Sequence, residues 1–441
     1  MAGRAYGRCL GMLVAAGACL LAAPQASAQG HGEPRSHVVV AIVDEGIDPY
    51  HVDFADRDRQ RNPYTYLPGY PAGARPLNLT LGIRDYASAR HRDDRVWAGV
   101  KANQLYYVPG TDVVGAVWIP GSVVDDAQKI TVDTAPSADP VRPIVDQSGH
   151  GTEVASVLAG KIHGTCPQCL IVVVAAAHRE AGLAWVAKQP WIDMVSNSWG
   201  GPLAAPVGGT IHGTGTTGTV DRTSLAAAAA GKPVFFASGN GLTGTGPYTS
   251  LTPDHSVTWV SPYSGPPWVI AVGASTPSGK PSSWHDMPVD MIATGENVPA
   301  AAPDSIDGTT VFYGTSCSAP RAAGVAASAL LRVRTLEHDA GVGYRSGSML
   351  GTVNKTSGGP LGDGRLTRRE FELAVLHSAE PTNLGTPTAL EGFGVLDPRS
   401  IDIIVRALLG RATTSVPAEV ATWDTRARAV RTAIWGADPN T

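Results

Sequence analysis

Four short stretches of this 441-residue chain each set one side chain capable of chemistry within two residues of a glycine. They are "IVDEGID" with Asp44, "GHGTEVAS" with His150, "ASGN" with Asn240 and "GTSCSAP" with Ser316. A serine hydroxyl is a poor nucleophile near neutral pH and needs a base within hydrogen-bond reach to take its proton during attack. Histidine has the pKa to do this and to return the proton to a leaving amine. A carboxylate on the other ring nitrogen fixes the tautomer and stabilises the imidazolium, and an amide side chain with a backbone N–H at a helix start can receive the oxyanion. Taken singly, each residue has a plainer reading: Asp44 and Asn240 suit turns, His150 and Ser316 suit helix caps. Together they point to acyl transfer. Ser316, Cys317 and Ser318 are adjacent, and successive side chains on a helix point about 100° apart, so they cannot all face one reacting carbonyl.

Such residues need a scaffold that brings distant stretches together. Runs rich in valine and isoleucine predict buried strands of a parallel sheet at His37 to Val43, Leu170 to Ala176, Asp193 to Trp199, Pro233 to Ser238 and Trp268 to Ala274. Segments of helical character separate most of them, among them "GTEVASVLAGKI", "REAGLAWVAK" and "TSLAAAAAG". The alternation predicts an α/β fold: a doubly wound, mostly parallel sheet with helices on both faces. Further helices are expected from Ala319 to Leu331, in "LTRREFELAVLHSA" and in "SIDIIVRALLG". In such sheets ligands bind at the carboxyl ends of the strands, where Asp44 and Asn240 fall. Residues 54–142, rich in Pro, Gly, Tyr and Asp, read as a long surface insertion between the first strand and the His-bearing helix. "NQLYYV" and "VVGAVWI" within it show no clear pairing pattern. The Gly- and Thr-rich run Val207 to Ser224 reads as a mobile loop.

Composition excludes several function classes. Charged residues make up 16% of the chain and the net charge is -4, so neither disorder nor a nucleic-acid-binding surface is indicated. Residues 1–28 carry arginines, an apolar run from Leu10 to Ala23 and the small residues Ala26, Ser27 and Ala28, the pattern of a secretory signal peptide. No later stretch is apolar enough to span a bilayer, so a secreted, extracellular protein is expected. The organisation expected is signal peptide 1–28, one catalytic domain 29–410 and a C-terminal tail 411–441 holding a short helix, "TWDTRARAVRTAIW". Of the five cysteines, Cys9 and Cys19 lie in the leader, leaving Cys166, Cys169 and Cys317. In an oxidising compartment "CPQC" is expected to close a disulfide, with Cys317 buried as a small hydrophobe.

The four stretches, in this chain order, resemble the subtilisin-like serine proteases. That family has Asp in an apolar-D-[ST]-G strand end, His in HGTxVA, Asn in AxGN and Ser in GTSxAxP. Further likenesses are "NSWG", "WVIAVGAS", "DMIATGENV" and "GFGVLDP". The resemblance implies a serine endopeptidase in which Asp44 orients, His150 is the base, Ser316 the nucleophile and Asn240 the oxyanion donor. It further implies that Ser198, Trp199 and Gly200 line one side of the primary specificity pocket and Ala237, Ser238 and Gly239 the other, with polypeptides as substrates. Trp199 also has a plain reading as a core residue. No cofactor is needed for this chemistry. Family members often bind calcium, but Asp93, Asp94, Asp125 and Asp126 read as a solvated surface and no full ligand pattern is visible.

The sequence departs from the family pattern at Glu45, which stands where Ser or Thr is usual. A carboxylate pointing inward there raises the pKa of Asp44 or His150. The segment between Ala28 and the first strand is shorter than the pro-domain of many secreted relatives. Two other readings compete: a silent member of the fold acting in binding or assembly, and a sedolisin-type acid peptidase. His150 and Asn240 speak against the second.

Overall fold

The computed structural model describes residues 37–120, 144–200, 218–240, 264–339 and 366–409, except for 57, 267, 287–288, 383–387 and 389. The leader, the tail helix and residues 207–217 of the expected loop lie outside these. A nine-stranded sheet runs in the order β2-β3-β4-β5-β1-β6-β7-β8-β9. Its strands are β1 (Val39–Asp44), β2 (Arg75–Pro76), β3 (Tyr106–Tyr107), β4 (Val113–Ile119), β5 (Leu170–Ala176), β6 (Met194–Asn197), β7 (Val234–Ala237), β8 (Ile270–Ser275) and β9 (Met291–Thr294). From β4 to β9 every pairing is parallel, whereas β3 meets β4 antiparallel. A separate antiparallel pair joins β10 (Val298–Ala301) to β11 (Thr309–Phe312).

Parallel strands need crossover connections, and helices cover both faces of this sheet. On one face lie α3 (His150–Ala159), α6 (Thr315–Asp339), α7 (Arg368–His377) and α8 (Ile401–Leu409); on the other lie α4 (Arg179–Ala187) and α5 (Gly218–Ala229). The short helices α1 (Tyr86–Arg92) and α2 (Asp94–Ala98) precede β3. The period of two along β1 explains its double burial. Val38, Val40 and Ile42 pack with α3 and α6, while Val39, Ala41 and Val43 pack with α4 and α5. Burying each such side chain stabilises the fold by roughly 1.5–3 kcal/mol. Helix α6 runs against β6 to β9, and its buried Ala319, Ala322, Ala323, Ala326 and Ala327 keep its axis close to the sheet.

The chain enters the sheet at β1, crosses to β4, returns to β5 beside β1, and then passes through α4 to β6 on the other side of β1. The winding direction reverses there, and Asp44 sits at the carboxyl end of β1 at this switch point, where open α/β sheets bind ligands.

Two expectations are corrected. The segment following β1 is not a surface appendage: it contributes β2, β3 and β4, and β4 is a buried strand paired along its length with β5. "VVGAVWI" lacks alternation because both of its faces are covered. The run from Gly218 to Ser224, expected in a loop, forms the first half of α5. The disulfide between Cys166 and Cys169 is formed and closes the turn between α3 and β5, and Cys317 is buried.

Candidate active site

Asp44 ends a strand of six buried residues, and its own side chain is buried, with the residue 1% exposed. Its Oδ1 accepts from the Glu45 N–H at 2.8 Å and lies 2.9 Å from His150 Nδ1. An ionised carboxylate only accepts, so Nδ1 carries the proton and donates, which leaves Nε2 of the neutral ring with the lone pair. His150 opens α3 and is oriented by its helix start. Asp146 Oδ1 accepts from the Gly149 N–H at 2.9 Å, and Asp146 Oδ2 accepts from the N–H and hydroxyl of Thr152, each at 2.7 Å. A buried carboxylate thus satisfies the orphan donors of the first turn. The Phe312 and His150 rings meet nearly at right angles with centroids 5.7 Å apart.

The charges are coupled in opposite directions. Burial disfavours ionised Asp44, but His150 and Arg179 outweigh it and hold the carboxyl below its ordinary range. Burial likewise disfavours the imidazolium, yet the carboxylates of Asp44, Glu45 and Asp146 push His150 up to about 9. Glu153, one turn along α3, is pushed up to about 7 by burial.

Ser316 lies in the first turn of α6. Its hydroxyl donates to the Ser198 carbonyl at 3.2 Å, and the Ser198 hydroxyl donates to the Ser316 carbonyl at 2.9 Å. In a regular helix that carbonyl would accept from residue 320, but Pro320 has no N–H and leaves it open to Ser198. The Ser316 N–H, in the first turn, has no acceptor within the helix. The Ser316 hydroxyl makes no hydrogen bond to the His150 ring; its partner is Ser198.

Asn240 follows β7 and is fixed at the same helix start. Its Oδ1 accepts from the N–H and the hydroxyl of Thr315, each at 2.8 Å, which commits the oxygen and leaves Nδ2 to donate. Nδ2 faces Gly314, where a Cβ would come to 3.1 Å, and Gly314 has φ +108°. Gly239 has φ +117°, and a Cβ there would run into the Asp286 carboxylate, so only glycine serves on either side of this amide.

The three consecutive candidates of "TSCSAP" are now separable. Cys317 is fully buried, its Sγ 3.8 Å from the Thr294 carbonyl, and burial pushes the thiol up to about 12. Ser318 is buried with its hydroxyl toward the Gly314 carbonyl at 3.4 Å. Of the three, Ser316 alone is not buried.

The sequence of the subtilase family matches residues 35–394 of this chain. The chain belongs to the subtilase family. It is a serine-type endopeptidase, whose substrates are polypeptides. No curated protein matches the sequence. The solved structure of the prenylagaramide maturation protease PagA is similar over 85% of this chain and 95% of that one, at 16% identity and a TM-score of 0.46.

The six residues assigned to the specificity pocket fall at the carboxyl ends of two neighbouring strands, β6 and β7. Ser198, Ala237 and Ser238 are buried and Gly200 is exposed. Trp199 stacks edge-on against Phe236 with centroids 5.0 Å apart and packs against the core, as its plain reading has it. Sequence reasoning missed Asp146, Ser148, Arg179 and Thr315. The first had a readable signal, an acceptor three residues ahead of the glycine that opens the His helix. Among the described residues, no group of three or more His, Cys, Asp or Glu side chains gathers to hold a metal. Asp93, expected on a solvated surface, is instead buried and accepts from the hydroxyls of Tyr50 and Thr80, while Asp125 and Asp126 lie outside the described residues. Among them, too, no helix is long and apolar enough to cross a membrane.

Proposed function

We propose that this subtilase is a secreted endopeptidase in which Ser316 attacks the scissile carbonyl, His150 takes the hydroxyl proton through Nε2, and Asp44 holds the imidazole. The observation that carries the reading is the 2.9 Å contact between His150 and a buried Asp44 at the sheet's switch point. The tetrahedral oxyanion receives hydrogen bonds from Asn240 Nδ2 and the Ser316 N–H. His150 then protonates the leaving amine, and water hydrolyses the acyl-enzyme by the same steps in reverse. Before attack the Ser316 hydroxyl turns from Ser198 O toward the ring, a tightening common between the free and the substrate-bound site. The peptide lies along the edges formed by Ser198, Trp199 and Gly200 and by Ala237, Ser238 and Gly239, pairing as an added strand. Nothing in these steps draws on a cofactor. Export follows from the leader at residues 1–28.

The test is incubation of the purified chain with a denatured protein and mass spectrometry of the cut sites. Cleavage that disappears in Ser316→Ala is the expected result. Intact substrate with native enzyme across neutral and alkaline pH would favour the silent binding protein, and cleavage confined to strongly acidic pH the sedolisin chemistry.

A further inference from the structure

Glu45, where the family pattern has Ser or Thr, is tied on both sides. Its Oε2 accepts from the Ser148 hydroxyl at 2.5 Å, and Ser148 Oγ in turn accepts from the His150 N–H at 3.1 Å. Its Oε1 lies 3.4 Å from Arg179 Nη2 at the start of α4. Arg179 Nη1 donates to the carbonyls of Asp44 and Ala176, both at 3.1 Å, and so bridges the carboxyl ends of β1 and β5. A continuous chain of hydrogen bonds therefore runs from two sheet strands through Arg179, Glu45 and Ser148 to the backbone of His150. It is local to the switch point and independent of the direct contact between Asp44 and the ring.

We infer that Glu45 is a positioning residue: it clamps the first turn of the His150 helix to the end of β1 and sets the balance of charge facing the His150 ring. The inference rests on the proposed role of His150 as base. The groups around that ring come from every element packed there. Asp44 and Glu45 approach from β1, Asp146 from the loop before α3, Glu153 from α3 itself and Arg179 from α4, while β11 contributes the apolar Phe312. A threonine at position 45 could reach neither Ser148 nor Arg179 in this way. The clamp and the charge are separable, because Glu45→Gln keeps the length and an acceptor oxygen but removes the charge, whereas Ser148→Ala cuts the clamp and keeps the charge.

The experiment is an NMR titration of the His150 imidazole in the full chain carrying Ser316→Ala, alone and with Glu45→Gln or Arg179→Gln, alongside kcat/KM against pH for the active chain and its Glu45→Gln and Ser148→Ala variants. Removing the carboxylate should lower the His150 midpoint by ~0.5–1 pH unit, and removing the guanidinium should raise it. The acid limb of kcat/KM should move down with Glu45→Gln. Ser148→Ala should lower the plateau of kcat several-fold with KM little changed. A ring midpoint and an acid limb that stay put in Glu45→Gln, or a plateau untouched by Ser148→Ala, overturn the inference even in a fully active peptidase. A His150 midpoint that moves as stated in a chain that cuts no polypeptide keeps the charge relation and instead removes the proposed catalytic role.

Discussion

Raising the pH converts His150 from a charged ring to the neutral base that the proposed reaction requires, and the carboxylates around it set where this happens. Burial alone would lower the midpoint, but the carboxylates of Asp44, Glu45 and Asp146 bring it to about 9. About two units below that midpoint, near pH 7, roughly one molecule in a hundred holds the neutral ring, so kcat/KM there should be about a hundredfold below its alkaline plateau. The assay is initial rates on a fluorogenic peptide well below KM, in buffers of constant ionic strength. Added salt should shift the midpoint little, since the dominant partner, Asp44, is buried. The same titration has a signed effect on stability. A ring held above its ordinary 6.5 stabilises the fold most fully below that value, and this contribution is lost as pH rises through about 9. Activity should thus climb while His150's share of stability falls. An acid limb centred at or below the ordinary histidine value would refute the reasoning, because it would mean that the buried carboxylates do not act on the ring.

Three further outcomes are expected. Labelling by a fluorophosphonate should vanish in Ser316→Ala and persist in Cys317→Ala, since a buried thiol pushed up to about 12 supplies almost no thiolate at neutral pH; label that follows Cys317 reverses the assignment. Asn240→Leu should lower kcat by ~10²–10³ with KM changed far less, a cost carried over from a subtilisin in which the oxyanion amide was removed; a loss confined to KM would remove Asn240 from the oxyanion site. Arg334 donates two bonds to Asp193, at 2.9 and 2.6 Å, in the interior beside β1, so Asp193→Ala should destabilise the chain by ~3–5 kcal/mol in a urea titration, and a change below about 1 kcal/mol would show that the buried pair is dispensable.

The strand ends that carry Asp44 and Asn240 were legible because buried parallel strands announce themselves as short apolar runs: "LIVVVAA" is β5 from its first residue to its last. Helix α3 was legible for the same reason, its buried Val154, Val157 and Leu158 recurring at helical spacing. β4 was not, because a strand covered on both faces has no alternation to read, and its neighbours β2 and β3 have only two residues each. Of the candidate site, Asp44, His150, Asn240 and Ser316 were visible as motifs, but the side chains that hold them were not. Arg179 acts through carbonyls of β1 and β5, and Thr315 through the Asn240 amide, contacts that link positions 135 and 75 residues apart. The direction of Glu45 was equally hidden, since whether it faces the ring depends on Ser148 and Arg179, which only the folded chain brings near.

One absent hydrogen beneath the proposed nucleophile bears on attempts to make this enzyme sturdier. Swapping the imino acid at Pro320 for alanine is the kind of change a helix-stabilising redesign would choose, and by propensity alone it looks beneficial. It would also supply a donor that competes with Ser198 for the Ser316 carbonyl, loosening the tether between this helix and the end of β6. Robustness gained along the helix would come at the expense of the register between the Ser316 hydroxyl and its neighbouring strand.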